Sequence, residues 1–126
     1  VARAALANKL EDHDFTHVAN TTFTAQSGVI YFNANQRGSQ MITVSDDIDL
    51  FFKVQNLSDN YLWIKNAGTA EVDITVSAVS DAEGDNVTNV YMPADGISVP
   101  AGYIAELGII VNADGAFITA RNDLSL

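Results

Sequence analysis

Hydrophobic and polar residues alternate along most of the chain with a period of two residues. The clearest run is residues 71–79, where Val72, Ile74, Val76 and Ala78 share one face. Residues 48–55 and 61–65 alternate in the same way. So do residues 103–111, where the expected inward row is Tyr103, Ala105, Leu107, Ile109 and Val111. Such alternation is typical of half-buried antiparallel strands, in which one face meets the core and the other meets water. We therefore predict strands at all four places.

Turn-forming residues separate these runs. Asn66-Ala67-Gly68, Asp95-Gly96 and Asp114-Gly115 tolerate the positive φ angles that tight turns require. Weaker alternation predicts further strands at residues 15–24, 28–34, 39–45, 87–92, 97–99 and 116–121. About nine short strands punctuated by turns favour an all-β fold. We expect an antiparallel β-sandwich with jelly-roll topology.

The first fourteen residues have a different composition, rich in alanine with leucine at two positions. The sequence therefore predicts a short N-terminal arm, residues 1–14, before a β-sandwich domain, residues 15–126. A small helix packed on the chain's own domain explains this composition equally well. If the segment is an arm, the residues expected to bind a partner are Val1, Arg3, Leu6, Lys9 and Leu10.

Composition and charge narrow the classes of partner. The chain has 126 residues, of which 48% are hydrophobic, and contains no cysteine, so a single core without disulfides is expected. Six basic and sixteen acidic residues give a net charge of −10. Nucleic acids and anionic membranes are bound through clustered Lys and Arg, so neither is an expected partner. No apolar run is long enough for a membrane helix, and we expect a soluble protein.

The residue pattern gives little support for a catalytic site. The two histidines, His13 and His17, both lie near the start of the chain, and no G-x-S-x-G motif is present. A helix would place the two imidazoles on one face, as a zinc site requires, but the extended pattern after Phe15 separates them. We expect no enzyme activity and no cofactor.

Acidic residues at alternating positions raise the question of a Ca²⁺ site. Asp81, Glu83 and Asp85 are the candidates, and Asp46, Asp47 and Asp49 form a second acidic cluster. An EF-hand loop needs Gly at its sixth position and Glu at its twelfth, whereas counting from Asp81 those positions hold other residues. Acidic turns in contact with water explain the same residues in a protein of this charge.

Aromatic residues on the strands are the sharper signal. If Leu62 and Ile64 point into the core, Tyr61 and Trp63 point outward, and Phe51 raises the same question on its own strand. An outward aromatic pair would suit a subunit interface or stacking against a sugar ring. Packing within the core is the competing explanation for all three.

Two segments resemble a known class of proteins. The first is Tyr61-Leu62-Trp63-Ile64-Lys65-Asn66-Ala67-Gly68-Thr69-Ala70, and the second is Ile97-Ser98-Val99-Pro100-Ala101-Gly102. Their order resembles capsid decoration (cement) and head-fibre proteins of tailed bacteriophages, which are small β-sandwiches. The resemblance covers roughly residues 57–126. Bacterial adhesins and pilus-like β-sandwiches contain similar sequence segments.

The resemblance implies a virion structural protein that binds the outside of a phage head. It further implies a homotrimer that contacts the major capsid protein and bridges neighbouring capsomers. In that case the arm would bind the capsid, and Tyr61, Trp63 or Phe51 would help to build the trimer. The alternative from another class is a carbohydrate-binding or adhesive module, in which Tyr61 and Trp63 stack on sugar rings.

Overall fold

The described part of the chain forms ten β-strands and no helix. The computed structural model describes residues 19–32, 40–54, 60–80, 85–87 and 89–125. The all-β prediction is confirmed. The strands are β1 (Ala19–Thr22), β2 (Ser27–Phe32), β3 (Gln40–Val44), β4 (Ile48–Val54), β5 (Asn60–Asn66), β6 (Val72–Ser80), β7 (Val90–Tyr91), β8 (Ile97–Val99), β9 (Tyr103–Asn112) and β10 (Gly115–Ser125).

The strands form two sheets with one core between them. Sheet A has six strands in the order β1-β3-β5-β9-β10-β7, and sheet B has four in the order β2-β4-β6-β8. The first six strands alternate between the two sheets along the chain. Each successive pair therefore forms one rung that stacks on the rung before it, as in a short β-solenoid.

This stacking corrects the antiparallel, jelly-roll part of the prediction. Of the eight strand pairs described, five are parallel and three are antiparallel. Consecutive strands lie in opposite sheets, so neighbours within a sheet are two elements apart and run in the same direction. Alternation of side chains has the same period in parallel and antiparallel strands, and it carries no information about strand direction.

Successive rungs contain about the same number of residues, and their inward side chains form ladders from one rung to the next. Gln40 lies beside Leu62 and Ser27 beside Asp49, in both cases 22 residues further along the chain. Three inward ladders cross the rungs: Ile30–Phe52–Val79, Ile42–Ile64–Ala105 and Gln40–Leu62–Leu107. The rings of Phe32 and Phe52 meet edge to face with centroids 5.5 Å apart at the centre of the core. Stacked rungs thus bury apolar surface that no single rung could bury alone.

Two predicted inward residues are placed differently. The register of β4 against β6 shifts between Leu50 and Phe51, which is a β-bulge. Beyond the bulge the alternation of β6 changes phase, so Val79 is buried while Ala78 is half-buried. The second residue is Tyr103, which was expected to begin the inward row of β9 but is exposed. The remaining members of that row, Ala105, Leu107, Ile109 and Val111, are buried as predicted.

Asn66 joins the two sheets at one end of the molecule. It is fully buried at the last position of β5. Its Nδ2 donates to the carbonyl oxygens of Ala70 (2.8 Å) and Val99 (2.9 Å), and its Oδ1 accepts from the N–H of Gly68 (2.9 Å). The side chain therefore replaces backbone hydrogen bonds that the turn between β5 and β6 leaves open.

The N-terminal arm, residues 1–14, lies outside the described residues, as do residues 15–18. The division into an arm and a domain stays a prediction. No helix in the described part of the chain is long and apolar enough to cross a membrane.

Candidate functional site

The three aromatic residues singled out from the sequence lie on two opposite faces. Leu62 and Ile64 are fully buried, which confirms that Tyr61 and Trp63 point outward from sheet A. Phe51 points outward from sheet B, because its neighbours Leu50 and Phe52 are fully buried. Phe51 therefore cannot share a binding surface with Tyr61 and Trp63.

Trp63 points outward, yet its ring is covered. The residue is only 7% exposed, and its indole Nε1 donates to Oε2 of Glu106 at 3.0 Å. Glu106 is its neighbour on β9, and the buried Met41 is its neighbour on β3. The prediction that Trp63 offers an exposed ring for sugar stacking or a partner is therefore wrong. Glu106 and Met41 thus flank the indole on the two neighbouring strands.

Tyr61, by contrast, presents its ring on the outer surface. It is 38% exposed and lies beside Gly108 of β9, so that a Cβ built on this glycine would stand 3.4 Å from Cε1 of Tyr61. The same Cβ would stand 2.8 Å from Oγ1 of Thr119 on β10. The absence of a side chain at Gly108 leaves room for the tyrosine ring to lie against the sheet.

Further apolar residues extend this surface towards the edge of sheet A. Ile110, the next outward position on β9 after Gly108, is 41% exposed. It pairs with Phe117 of β10, which in turn pairs with Tyr91 of β7. The rings of Tyr91 and Phe117 are stacked, with centroids 4.7 Å apart and planes inclined by 15°. We call Tyr61, Tyr91, Ile110 and Phe117 together the aromatic face.

Sequence reasoning missed three of these four residues. Ile110 and Phe117 were detectable, since each stands between two inward positions of its strand. Tyr91 was not, because β7 has only two residues and shows no alternation. These three residues lie side by side because β7 and β9 pair with opposite edges of β10.

The outer face of sheet B has a different character at each end. At one end Nζ of Lys53 lies over the rings of Tyr31 and Phe51, 5.9 and 5.8 Å from their centroids. Cation–π contact holds this ammonium group against both rings. Phe51 is therefore half-buried beneath a lysine and is not a free stacking surface.

At the other end three aspartates form an acidic ridge, defined as Asp47, Asp49 and Asp73. Their Oδ1 atoms accept hydrogen bonds from the N–H of Asp73 (2.8 Å) and from the hydroxyls of Thr75 (2.8 Å) and Ser98 (2.7 Å), respectively. These carboxylates therefore connect neighbouring strands. Within the described residues, no three His, Asp or Glu side chains are grouped as a metal site requires.

Several predicted site residues lie outside the described part of the chain. Of the Ca²⁺ candidates, Asp85 is described, whereas Asp81 and Glu83 are not. Both histidines also lie outside the described residues. So do the residues expected to bind a partner through the arm: Val1, Arg3, Leu6, Lys9 and Leu10. Their roles stay predictions.

Comparisons with known proteins complete the description. No protein-family model matches the chain, and searches of curated proteins and of solved structures gave no significant match. The resemblance to phage decoration proteins therefore stays a prediction from the two sequence segments, and the functional argument depends on the surface of the molecule.

Proposed function

We propose that this protein is a non-catalytic virion structural protein, a decoration subunit that binds the outside of a phage head and bridges capsomers. The proposal combines the sequence resemblance with one structural observation, the aromatic face. Within it we assign the arm, residues 1–14, to the major capsid protein. We assign the aromatic face to contact between subunits of a homotrimer.

The aromatic face has the chemistry of a protein interface. Tyr61, Tyr91 and Ile110 are each between 38% and 45% exposed, and the ring of Phe117 stacks against that of Tyr91. Tyrosine is enriched among the residues that contribute most to protein binding, since it buries a large apolar ring and keeps a hydroxyl for water or a partner. Because all four residues stand on paired strands of sheet A, little ordering entropy is lost when the surface is covered.

The two aromatic residues Trp63 and Phe51 have no place in this interface. Trp63 is covered on its own face, and Phe51 lies on the opposite sheet beneath Lys53. Of the three predicted aromatics, only Tyr61 is retained.

Stabilisation of a shell by such a subunit requires binding alone. A ligand that binds the expanded lattice and not the disrupted one stabilises the lattice by RT ln(1 + [L]/Kd), about 3–4 kcal/mol per site when ligand greatly exceeds Kd. Many sites on one shell would together resist internal pressure. The tight core of the two sheets suits this role, because a rigid subunit transmits load between the capsomers that it joins.

The subunit contact is tested by mass in solution. Light scattering on the full chain is expected to give a mass of three chains, and the double variant Tyr61→Ala/Tyr91→Ala a mass of fewer. Tyr103→Ala is the matched control, because Tyr103 is similarly exposed but lies outside the aromatic face. A mass that the double variant leaves unchanged would remove the aromatic face from the proposal.

The capsid contact is tested separately. Deleting residues 1–14 removes no described strand, so thermal unfolding and oligomeric mass are expected to stay unchanged. Cosedimentation with expanded, undecorated heads from the same source is expected to be lost. Normal decoration by the shortened chain would contradict the role of the arm.

A second candidate function has one observation in its favour. The stacked pair Tyr91 and Phe117 offers a flat aromatic surface, and flat exposed rings also bind the apolar faces of sugars. Trp63 is a poor reporter of such binding because it is buried, so a glycan array with wild-type protein and Tyr91→Ala is the better assay. Saturable glycan binding that is lost in the variant would favour the carbohydrate-binding module.

A further inference from the structure

The two ends of the stacked sheets are closed differently. At one end the outermost strands are β7 and β8, with two and three residues. At the other end the outermost described strand of sheet B is β2, which has six. Short edge strands offer little backbone for pairing, whereas a longer one is a template for another strand.

Among the strands that the structure describes, none pairs with the outer side of β2. The N–H of Asp49 donates to the carbonyl of Gln26, which sets the phase of the parallel ladder between β2 and β4. In such a ladder alternate residues bond to the neighbouring strand, so Val29 and Tyr31 direct their backbone groups away from β4. Among the described residues, one hydrogen bond reaches this side, from Nε2 of Gln40 to the carbonyl of Tyr31 at 2.9 Å.

The side chains along this edge carry no charge. Val29 and Tyr31 are 45% and 53% exposed. No Asp, Glu, Lys or Arg occurs between residues 18 and 36, although the net charge of the chain is −10. Natural edge strands that stay in water are protected by charges, proline or a bulge, and β2 has none of these. Such an edge is suited to being covered.

We propose that β2 pairs antiparallel with β2 of a second copy of this chain, about a two-fold axis at Ile30. Val29 and Tyr31, whose backbone groups face away from β4, then form reciprocal pairs with the second copy, so that Val29 lies opposite the second copy's Tyr31. Pairs of aromatic and β-branched residues are among the favourable cross-strand combinations. The groove at this end, about 250 Å³ and lined in part by Phe23, Ile30 and Met41, adjoins the proposed contact.

Charge selects a second copy as the occupant. Two molecules of charge −10 repel each other, and contact through the acidic ridge would add to that repulsion. No residue of β2 is charged, and the ammonium group of Lys53, which lies over the ring of Tyr31, is positive rather than negative. A two-fold axis makes this edge complementary to itself. This contact lies apart from the aromatic face and does not rest on the proposed function.

Sedimentation equilibrium of the full chain tests the pairing. Val29→Pro removes an N–H that faces away from β4, so the ladder within sheet B is kept while the outer edge is blocked. Val29→Thr is the matched control, because it keeps both the N–H and the β-branch. Circular dichroism and thermal unfolding establish that both variants are folded.

Wild type and Val29→Thr are expected to contain two chains and Val29→Pro one. If the chain also forms the proposed homotrimer, wild type and Val29→Thr are expected to contain six chains and Val29→Pro three. A wild-type mass of one chain, or a mass that Val29→Pro does not halve, overturns the pairing. A wild-type mass of three chains that Val29→Pro leaves unchanged and Tyr61→Ala/Tyr91→Ala lowers would overturn the β2 pairing. The same result would support the proposed function.

Cross-linking tests the register. The chain has no cysteine, so any disulfide must join introduced residues. In the proposed pairing, position 29 faces position 31 of the second copy, while the two copies of position 29 stand diagonally, beyond the roughly 7 Å limit for a disulfide. A mixture of Val29→Cys and Tyr31→Cys chains is therefore expected to form cross-linked pairs on mild oxidation, and neither variant alone. Equal cross-linking in the separate variants would refute this register.

Discussion

Asn66 offers the most direct test of how the two sheets are joined. In Asn66→Ala the carbonyls of Ala70 and Val99 and the N–H of Gly68 lose their partner at the end of β5. Asn66 and its bond to Val99 are buried, whereas its bonds to Ala70 and Gly68 are part-buried. The substitution therefore removes the connection between the turn and β8 in sheet B while deleting few apolar atoms.

The magnitude follows from the number of hydrogen bonds lost. Each hydrogen bond contributes about 1 kcal/mol net, and a buried group left without a partner costs about 1–3 kcal/mol. Three bonds give an expected loss of about 3 kcal/mol or more in the free energy of unfolding. With a urea m-value of about 1–3 kcal/mol/M for a domain of this size, the unfolding midpoint should fall by roughly 1–3 M.

Urea unfolding followed by the fluorescence of Trp63 measures this change, since Trp63 is the single tryptophan and is buried. Asn20→Ala is the control. The side chain of Asn20 also accepts a hydrogen bond, from Oγ1 of Thr43 at 2.9 Å, but it is exposed. A loss within about 0.5 kcal/mol is expected there. If the free energy of unfolding fell no more in Asn66→Ala than in Asn20→Ala, the assigned role of Asn66 would be refuted.

Two further predictions concern the core and the turns. Phe52→Ala removes a fully buried ring that packs edge to face on Phe32, and should lower the free energy of unfolding by about 3–5 kcal/mol; Phe51→Ala, on the half-buried outer face, should lose clearly less in the same urea titration. Gly115→Ala places a Cβ at a φ of 139° and 2.5 Å from a backbone carbonyl oxygen, so the hairpin of β9 and β10 should be strained. Gly96→Ala has a positive φ but open space around the Cβ, and calorimetry should show the larger fall in Tm for Gly115→Ala.

Much of the fold was predictable from local pattern. Ile48, Leu50, Phe52 and Val54 alternate in the sequence and are all buried on the inner face of β4. The dipeptide Asp114-Gly115 marked the hairpin that joins β9 to β10. Such features depend on residues close together in the chain, whose side-chain direction and φ preference are set by covalent geometry.

Strand direction and the composition of the outer surfaces were decided by tertiary structure. Alternation assigns a residue to a face but does not name the neighbouring strand, so it left open that β3 and β5 run parallel. Trp63 is buried on an outward face, where Met41 and Glu106 flank it from strands that are distant in sequence.

The same reason explains the two proposed binding surfaces. The sequence by itself determined that the protein is built from strands, which residues of most strands face inward, and that residues 18–36 carry no charge. Only the tertiary structure brought Tyr61, Tyr91 and Phe117 to one face and left β2 at an edge. Pairing between distant strands is a property of the whole chain, because each ladder is completed by a partner whose identity no local pattern specifies.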